Sequence, residues 1–214
     1  MILYASWTGT KKNLQALRDH GWRLLMSPDT LKRCKGKTAP RWPDDTSAHY
    51  ALDNGAWGCH QQSRPFDVDA FMWAFGRIGS GADWVVAPDI VGGGAESLSL
   101  TRAWLPKLSH RRVLIAVQDG MQPTDIRSLI NNGRGIFLGG STEWKLRTMP
   151  MWGEFARSVG CYFHVARVNT IKRYRACQFV GASSIDGTTP TRFSVKANLL
   201  PEASRQLCLF RGVQ

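Results

Sequence analysis

Nowhere does this sequence stay apolar for the roughly 20 residues that a bilayer-spanning helix needs. Its opening, MILYASWTGTKK, also lacks the basic segment followed by a long apolar stretch that marks a secretory leader. Neither a membrane span nor export is expected, and the expected location is the cytoplasm. Cysteine points the same way: Cys34, Cys59, Cys161, Cys177 and Cys208 are an odd five with no C-x-x-C pair. That excludes a disulfide framework and gives no structural zinc pattern. Cys59 and His60 are adjacent, but no second pair stands at ligand spacing, so neither a metal nor another cofactor is expected. Acidic residues are scarce, with 16 Asp and Glu against 28 Lys and Arg, a net charge of +12. Such an excess favours a polyanionic partner, most simply nucleic acid, through phosphate neutralisation and counterion release.

What is present is an alternation. The 214 residues suffice for one domain with a sizeable core, so a single domain over 1–214 is expected. Short β-rich runs recur along it: ILYA (2–5), RLLM (23–26), HYALD (49–53), WVVAPD (84–89), VLIAVQ (113–118), GIFLGG (135–140), YFHVAR (162–167) and SSID (183–186). Between them lie stretches with helical spacing, such as KKNLQALRDHG and PTDIRSLINNG, with Gly just past their ends. Strands alternating with helices imply βαβ units and a parallel sheet, and eight of them select a compact (β/α)8 TIM barrel over an open α/β sheet. Residues 31–47, LKRCKGKTAPRWPDDTS, are basic and proline-bearing and read as a long functional loop.

In such a barrel, ligands bind where the strands end. The third run ends in Asp53, the fourth in Asp89, the fifth in Gln118, the sixth in Gly139 and Gly140, and the eighth in Asp186; the seventh carries His164 and Arg167. Each has an ordinary alternative role, Asp as a helix cap and Gly as a turn former. A hydrogen-bonded structural histidine is the commoner reading for His164. Together these residues place three carboxylates and an amide around one mouth.

The same residues carry a family resemblance. LDNGAW resembles the D-S-G-G-[FY] segment of the tRNA-guanine transglycosylases. VVAPD, AVQDG and FLGGS resemble that family's base-recognition aspartate, V-Q-G and G-G-L segments, and IDGTTPTR matches its D-x-x-x-P-T-R nucleophile motif. The five segments keep the family's order from Leu52 to Arg192. The tRNA enzymes' C-terminal C-x-C-x-x-C…H zinc site is missing, and DNGAW departs from the family pattern. The chain is therefore closer in character to the compact, zinc-free deazapurine DNA-modification (DpdA-like) branch, often viral and acting in the host cytoplasm.

The resemblance implies exchange of a guanine in nucleic acid, DNA favoured over tRNA, for a free 7-deazaguanine base. Asp186 would be the nucleophile and Asp53 the general acid/base, and the proximity of the two would push their pKa values apart. Asp89, Gln118, Gly139 and Gly140 would bind the base, and Trp57 would stack on it. Phosphates would meet Lys32, Arg33, Lys35, Lys37, Arg41, Arg167, Lys172, Arg173 and Arg192, with Arg175 nearby. Trp7 and Trp42 suit either flanking bases or packing, and Glu143 and Lys145 either substrate or the helix start. The rival readings are an N-glycosidase that releases free base and a non-catalytic nucleic-acid-binding barrel.

Overall fold

A computed structural model describes residues 1–34, 40–44, 46–192 and 196–203, with the side chains of Pro190 and Arg192 left out. Lys35, Lys37 and Cys208 lie outside the described residues. Eight parallel strands close into a barrel in sequence order: β1 (Ile2–Ser6), β2 (Arg23–Met26), β3 (Tyr50–Leu52), β4 (Val85–Val86), β5 (Val113–Val117), β6 (Arg134–Leu138), β7 (Phe163–Val165) and β8 (Ser184–Gly187). Strand β8 pairs back onto β1 with Tyr4 opposite Asp186, which closes the ring. The (β/α)8 expectation holds.

Several strands, β3, β4 and β7 among them, are shorter than the apolar runs suggest. WVVAPD contributes only Val85–Val86 as strand, because Pro88 has no N–H to offer a ladder. Asp53, Asp89 and Gln118 sit just beyond the last residues of their strands.

The helices that wrap the barrel are α1 (Lys11–Asp19), α2 (Pro28–Arg33), α3 (Ala56–Gln61), α4 (Val68–Ile78), α5 (Gly94–Trp104), α6 (Pro123–Ile126), α7 (Thr142–Ser158), α8 (Ile171–Phe179) and α9 (Thr189–Arg192). Helix α2 corrects the reading of residues 31–47 as loop throughout. Ser27 and Thr30 form a reciprocal cap with Pro28 in the first turn, a start signal strong enough to carry the helix into the basic stretch. Lys32 and Arg33 therefore ride on its last turn, where cations favour the helix C-terminus. No helix among the described residues is long and apolar enough to cross a membrane.

Strand parity sorts the core into two layers. Leu3, Ala5, Leu24, Met26, Val85, Ile115 and Ile136 face the helices. Tyr4, Ala51, Trp84, Val86, Leu114 and Ala116 fill the barrel itself, with Leu25, Phe137 and Tyr162 packed against them. Barrel interiors are commonly filled by branched aliphatic side chains; here aromatic rings do much of that work, with Tyr4 and Trp84 in edge contact at 5.2 Å between centroids.

Candidate active site

The C-terminal ends of the strands surround a cavity of about 320 Å³, lined by Asp53, Asp89 and Asp186 together with Trp57, Gln118, Gly139, Gly140 and Arg167. The sequence-expected base-handling residues thus share one cavity, of a size at the lower end for small-molecule sites.

Asp53 follows β3 with its N–H bonded to the Met26 carbonyl at 2.7 Å, and its Oδ2 accepts from Gly55 N at 3.1 Å. Gly55 has φ +86°, and an added Cβ would lie 3.1 Å from Pro28, so glycine suits this turn on both counts. Asp53 opens partly onto the cavity yet lies deep beneath protein atoms. That burial, followed by the charge of Asp89, pushes its carboxyl up to about 7. The charge of Asp186 acts in the same direction but less strongly, so the pairing expected between Asp53 and Asp186 is outweighed by burial and Asp89.

Asp89 is almost fully buried and held by neutral amides. Asn54 Nδ2 donates to its Oδ1 at 2.6 Å, and Gln118 Nε2 donates to its Oδ2. Burial still prevails over both bonds and raises the carboxyl to about 6. The Gln118 Oε1 atom accepts from Gly92 N–H. Its amide is thus committed to Asp89 and to the glycine loop after β4, where the sequence reading has it bind the base. Asn54 was missed in the sequence. It is buried, donates also to the Ala87 carbonyl at 2.7 Å and accepts from Ala56 N at 2.8 Å, tying the ends of β3 and β4 together. Its signal was its place directly after a strand-end aspartate.

Asp186, at the end of β8, lies under two N–H donors. His164 Nε2 contacts its Oδ1 at 3.0 Å and Arg167 N donates to the same oxygen at 3.2 Å. Oδ2 has no protein partner among the described residues, and Asp186 lines the cavity. His164 is wholly buried; burial lowers its pKa against the pull of Asp186, which favours the neutral ring. It belongs to the site after all, and the signal lay in parity, since the register sets His164 opposite Ser184, two residues before Asp186.

Gly139 N–H is bonded to the Val117 carbonyl at 3.0 Å, whereas Gly140 N–H has no partner among the described residues. Gly140 has φ +70°, and a Cβ there would meet Asp119 and Trp144 at 2.6 Å, so only glycine fits. Arg167, a non-glycine residue at φ +57°, donates to the Gly140 carbonyl and lays its guanidinium 4.4 Å from the Trp57 ring centroid. That links the wall made by α3 to the loop after β6, and gives Arg167 a cavity contact where the sequence reading gave it a phosphate.

Lys145 is buried, donates to the Ala166 carbonyl and has its ammonium lowered to about 8 chiefly by burial; Glu143 lies exposed at the start of α7. Lys172 is exposed and Arg173 partly so at the start of α8, on the cavity end of the barrel, with exposed Arg175 farther along. Arg41 is exposed beside Trp7 and Trp42, which pack against the outer core. Among the described residues no group of three or more His, Cys, Asp or Glu is placed to hold a metal ion.

No protein-family model matches the sequence, and no curated protein does. Solved structures are similar in fold. 3-Hexulose-6-phosphate synthase from Salmonella typhimurium is 12% identical with a TM-score of 0.57, over 96% of this chain and 99% of that one. Tryptophan synthase from M. tuberculosis is 13% identical with a TM-score of 0.52, over 94% and 92%. Triosephosphate isomerase from Bartonella henselae is 9% identical with a TM-score of 0.50, over 95% and 98%. At these identities the likeness shows the (β/α)8 barrel alone.

Proposed function

We propose that this chain is a guanine transglycosylase of the tRNA-guanine transglycosylase type, exchanging a guanine in nucleic acid, DNA favoured over tRNA, for a free 7-deazaguanine base. The observation that carries the reading is the convergence of Asp53, Asp89 and Asp186 on one cavity in three different environments. One carboxyl has a pKa near neutrality, one is braced by two amides, and one accepts two N–H bonds through a single oxygen.

The chemistry divides into two displacements. Asp186 Oδ2 attacks C1′ of the flipped nucleotide; the C1′–O bond forms as the C1′–N9 bond breaks. The electron pair leaves with guanine, and Asp53, poised near pH 7, supplies the proton that neutralises the departing base. A 7-deazaguanine then enters, its N9–H proton passes to Asp53, and N9 attacks C1′ to expel the Asp186 carboxylate. Asp89 accepts from the N1–H and exocyclic amine of the base, since each of its oxygens keeps a second lone pair. The Gly140 N–H, unpaired among the described residues, donates to the base oxygen in this reading, a role that the Gln118 amide N–H, committed to Asp89, leaves open.

One detail separates this from sugar-phosphate chemistry. Barrel enzymes frequently bind phosphate with the backbone N–H groups after β7 and β8. Here Asn169 Oδ1 accepts from Thr188 N at 2.8 Å and Thr189 N at 3.2 Å, so those donors are already satisfied.

The test is labelled-guanine exchange run in parallel on duplex DNA, single-stranded DNA and tRNA, with free base assayed alongside. Label entering polymer supports the reading, and its distribution assigns the substrate. Release of free guanine without incorporation replaces it with an N-glycosidase, and binding without either replaces it with a non-catalytic barrel.

A further inference from the structure

Ser184 and Asp186 point into the barrel from β8, and His164 points in from β7 directly opposite Ser184. The imidazole bonds at both nitrogens: Nδ1 to Ser184 Oγ at 2.7 Å and Nε2 to Asp186 Oδ1 at 3.0 Å. A carboxylate can only accept, so Nε2 carries the hydrogen, and in a neutral ring Nδ1 then accepts the Ser184 hydroxyl, which sets the tautomer. The ring plane is fixed as well. Phe137 stacks on it at 4.9 Å and 17°, Trp84 lies at 4.7 Å, and Tyr4 meets it edge-on at 6.1 Å. The charged groups that act on it are Asp186 and, from α7, Lys145. A buried polar ring sandwiched by aromatics, with both nitrogens bonded and only one bond leading toward the cavity, is more than a core filler needs.

We infer that His164, oriented by Ser184, is the positioning residue of Asp186: it holds Oδ1 through Nε2–H so that Oδ2 presents its lone pair to the cavity. The inference rests on the nucleophile role proposed above. A neutral donor suits that task, because an imidazolium would form a tight ion pair and quench the carboxylate as a nucleophile. The neutral N–H steers one oxygen and leaves the charge available to the other. Arg167 N–H supports the same oxygen from the backbone, so His164 sets direction rather than supplying the sole hydrogen bond.

Two measurements test this together. Nitrogen-15 NMR of labelled wild-type protein, assigned with His164→Gln, should show a neutral Nε2–H imidazole from about pH 7 to 9, and Asp186→Asn should shift its Nε2 resonance. In exchange assays, His164→Phe keeps the ring stack and should lower kcat about 10- to 100-fold, the range for a hydrogen bond to a charged group. KM for the free base should stay within about threefold, because no base contact is removed. His164→Gln, whose amide N–H replaces the donor, should recover most of kcat, and Ser184→Ala should fall between. A charged or Nδ1–H imidazole, or kcat within about twofold of wild type in folded His164→Phe, overturns the inference. If wild-type protein exchanges no base on any substrate, the transglycosylase reading fails, while the nitrogen spectrum and its response to Asp186→Asn still decide whether His164 orients that carboxylate.

Discussion

The two ends of the barrel treat aspartate in opposite ways. At the N-terminal end, Asp83 is surrounded by donors that neutralise it: Tyr4 OH at 2.9 Å, Arg23 Nη1 at 2.8 Å and Arg111 Nη2 at 3.8 Å. At the C-terminal end, Asp53 and Asp89 are satisfied by neutral N–H groups from Gly55, Asn54 and Gln118, with no cation paired to either among the described ion pairs. Around Asp53 and Asp89 burial outweighs the N–H bonds that favour the ionised form, and leaves both able to take up a proton near neutrality. On the proposed function, a carboxyl braces the fold at one end and transfers a proton at the other. The contrast extends to the arginine–aromatic pairs, since Arg112 lies 4.4 Å from the Tyr162 ring at the closed end and Arg167 lies 4.4 Å from Trp57 at the open one.

The largest effect expected from breaking this comparison is a double dissociation. Asp186→Asn should lower exchange by at least about 1,000-fold, as loss of a covalent nucleophile does, with an unchanged thermal melt. Asp83→Ala should leave kcat per folded molecule intact but cost about 1–3 kcal/mol in urea denaturation, because it strands the buried Tyr4 hydroxyl. The partly exposed arginines contribute little to that loss.

Next comes proton transfer. Asp53→Asn should reduce kcat about 100- to 10,000-fold, and the wild-type rate of base departure should fall as pH rises through about 7, where Asp53 loses its proton. Stability follows the same sign. The native state binds the Asp53 proton more tightly than the unfolded chain, whose carboxyl titrates near 4. The stabilisation is therefore complete below about pH 4 and is lost as pH rises to about 7. Denaturation midpoints across that window should slope downward in wild type and less steeply in Asp53→Asn, where the raised Asp89 still contributes.

A smaller effect separates the two arginine–aromatic pairs. Trp57→Ala should weaken base binding by about 1–3 kcal/mol, seen in KM for the free base, whereas Tyr162→Ala should change stability without changing KM. The smallest effect concerns the surface. Lys172→Ala and Arg173→Ala should each lower the slope of log affinity against log salt by about 1 if each neutralises a phosphate. Arg111→Ala, exposed at the opposite end, should leave that slope unchanged in the same titration.

Much of the barrel was legible before folding because β-rich runs and helical spacing are local signals, and eight of the former in strict alternation admit few architectures. The strand-end residues were legible for the same reason: a parallel barrel sends all its C-terminal ends to one face, so Asp53, Asp89, Gln118, Gly140 and Asp186 had to be neighbours. Helix α2 starts before the basic, proline-bearing stretch and ends within it, so that the composition of 31–47 draws attention away from the Ser27–Thr30 cap just upstream.

Local sequence, through hydrophobic period and the D-x-x-x-P-T-R motif, determined the architecture and the identity of the carboxylates around the mouth. The tertiary structure alone decided what each of them is. Asn54 and Gln118 meet at Asp89 from different strands, and burial and Asp89, more than Asp186, raise Asp53. His164 reaches Asp186 only through the β7–β8 register. Protonation and orientation depend on desolvation and on donors brought together across tens of residues, and no local pattern of residues encodes those distances.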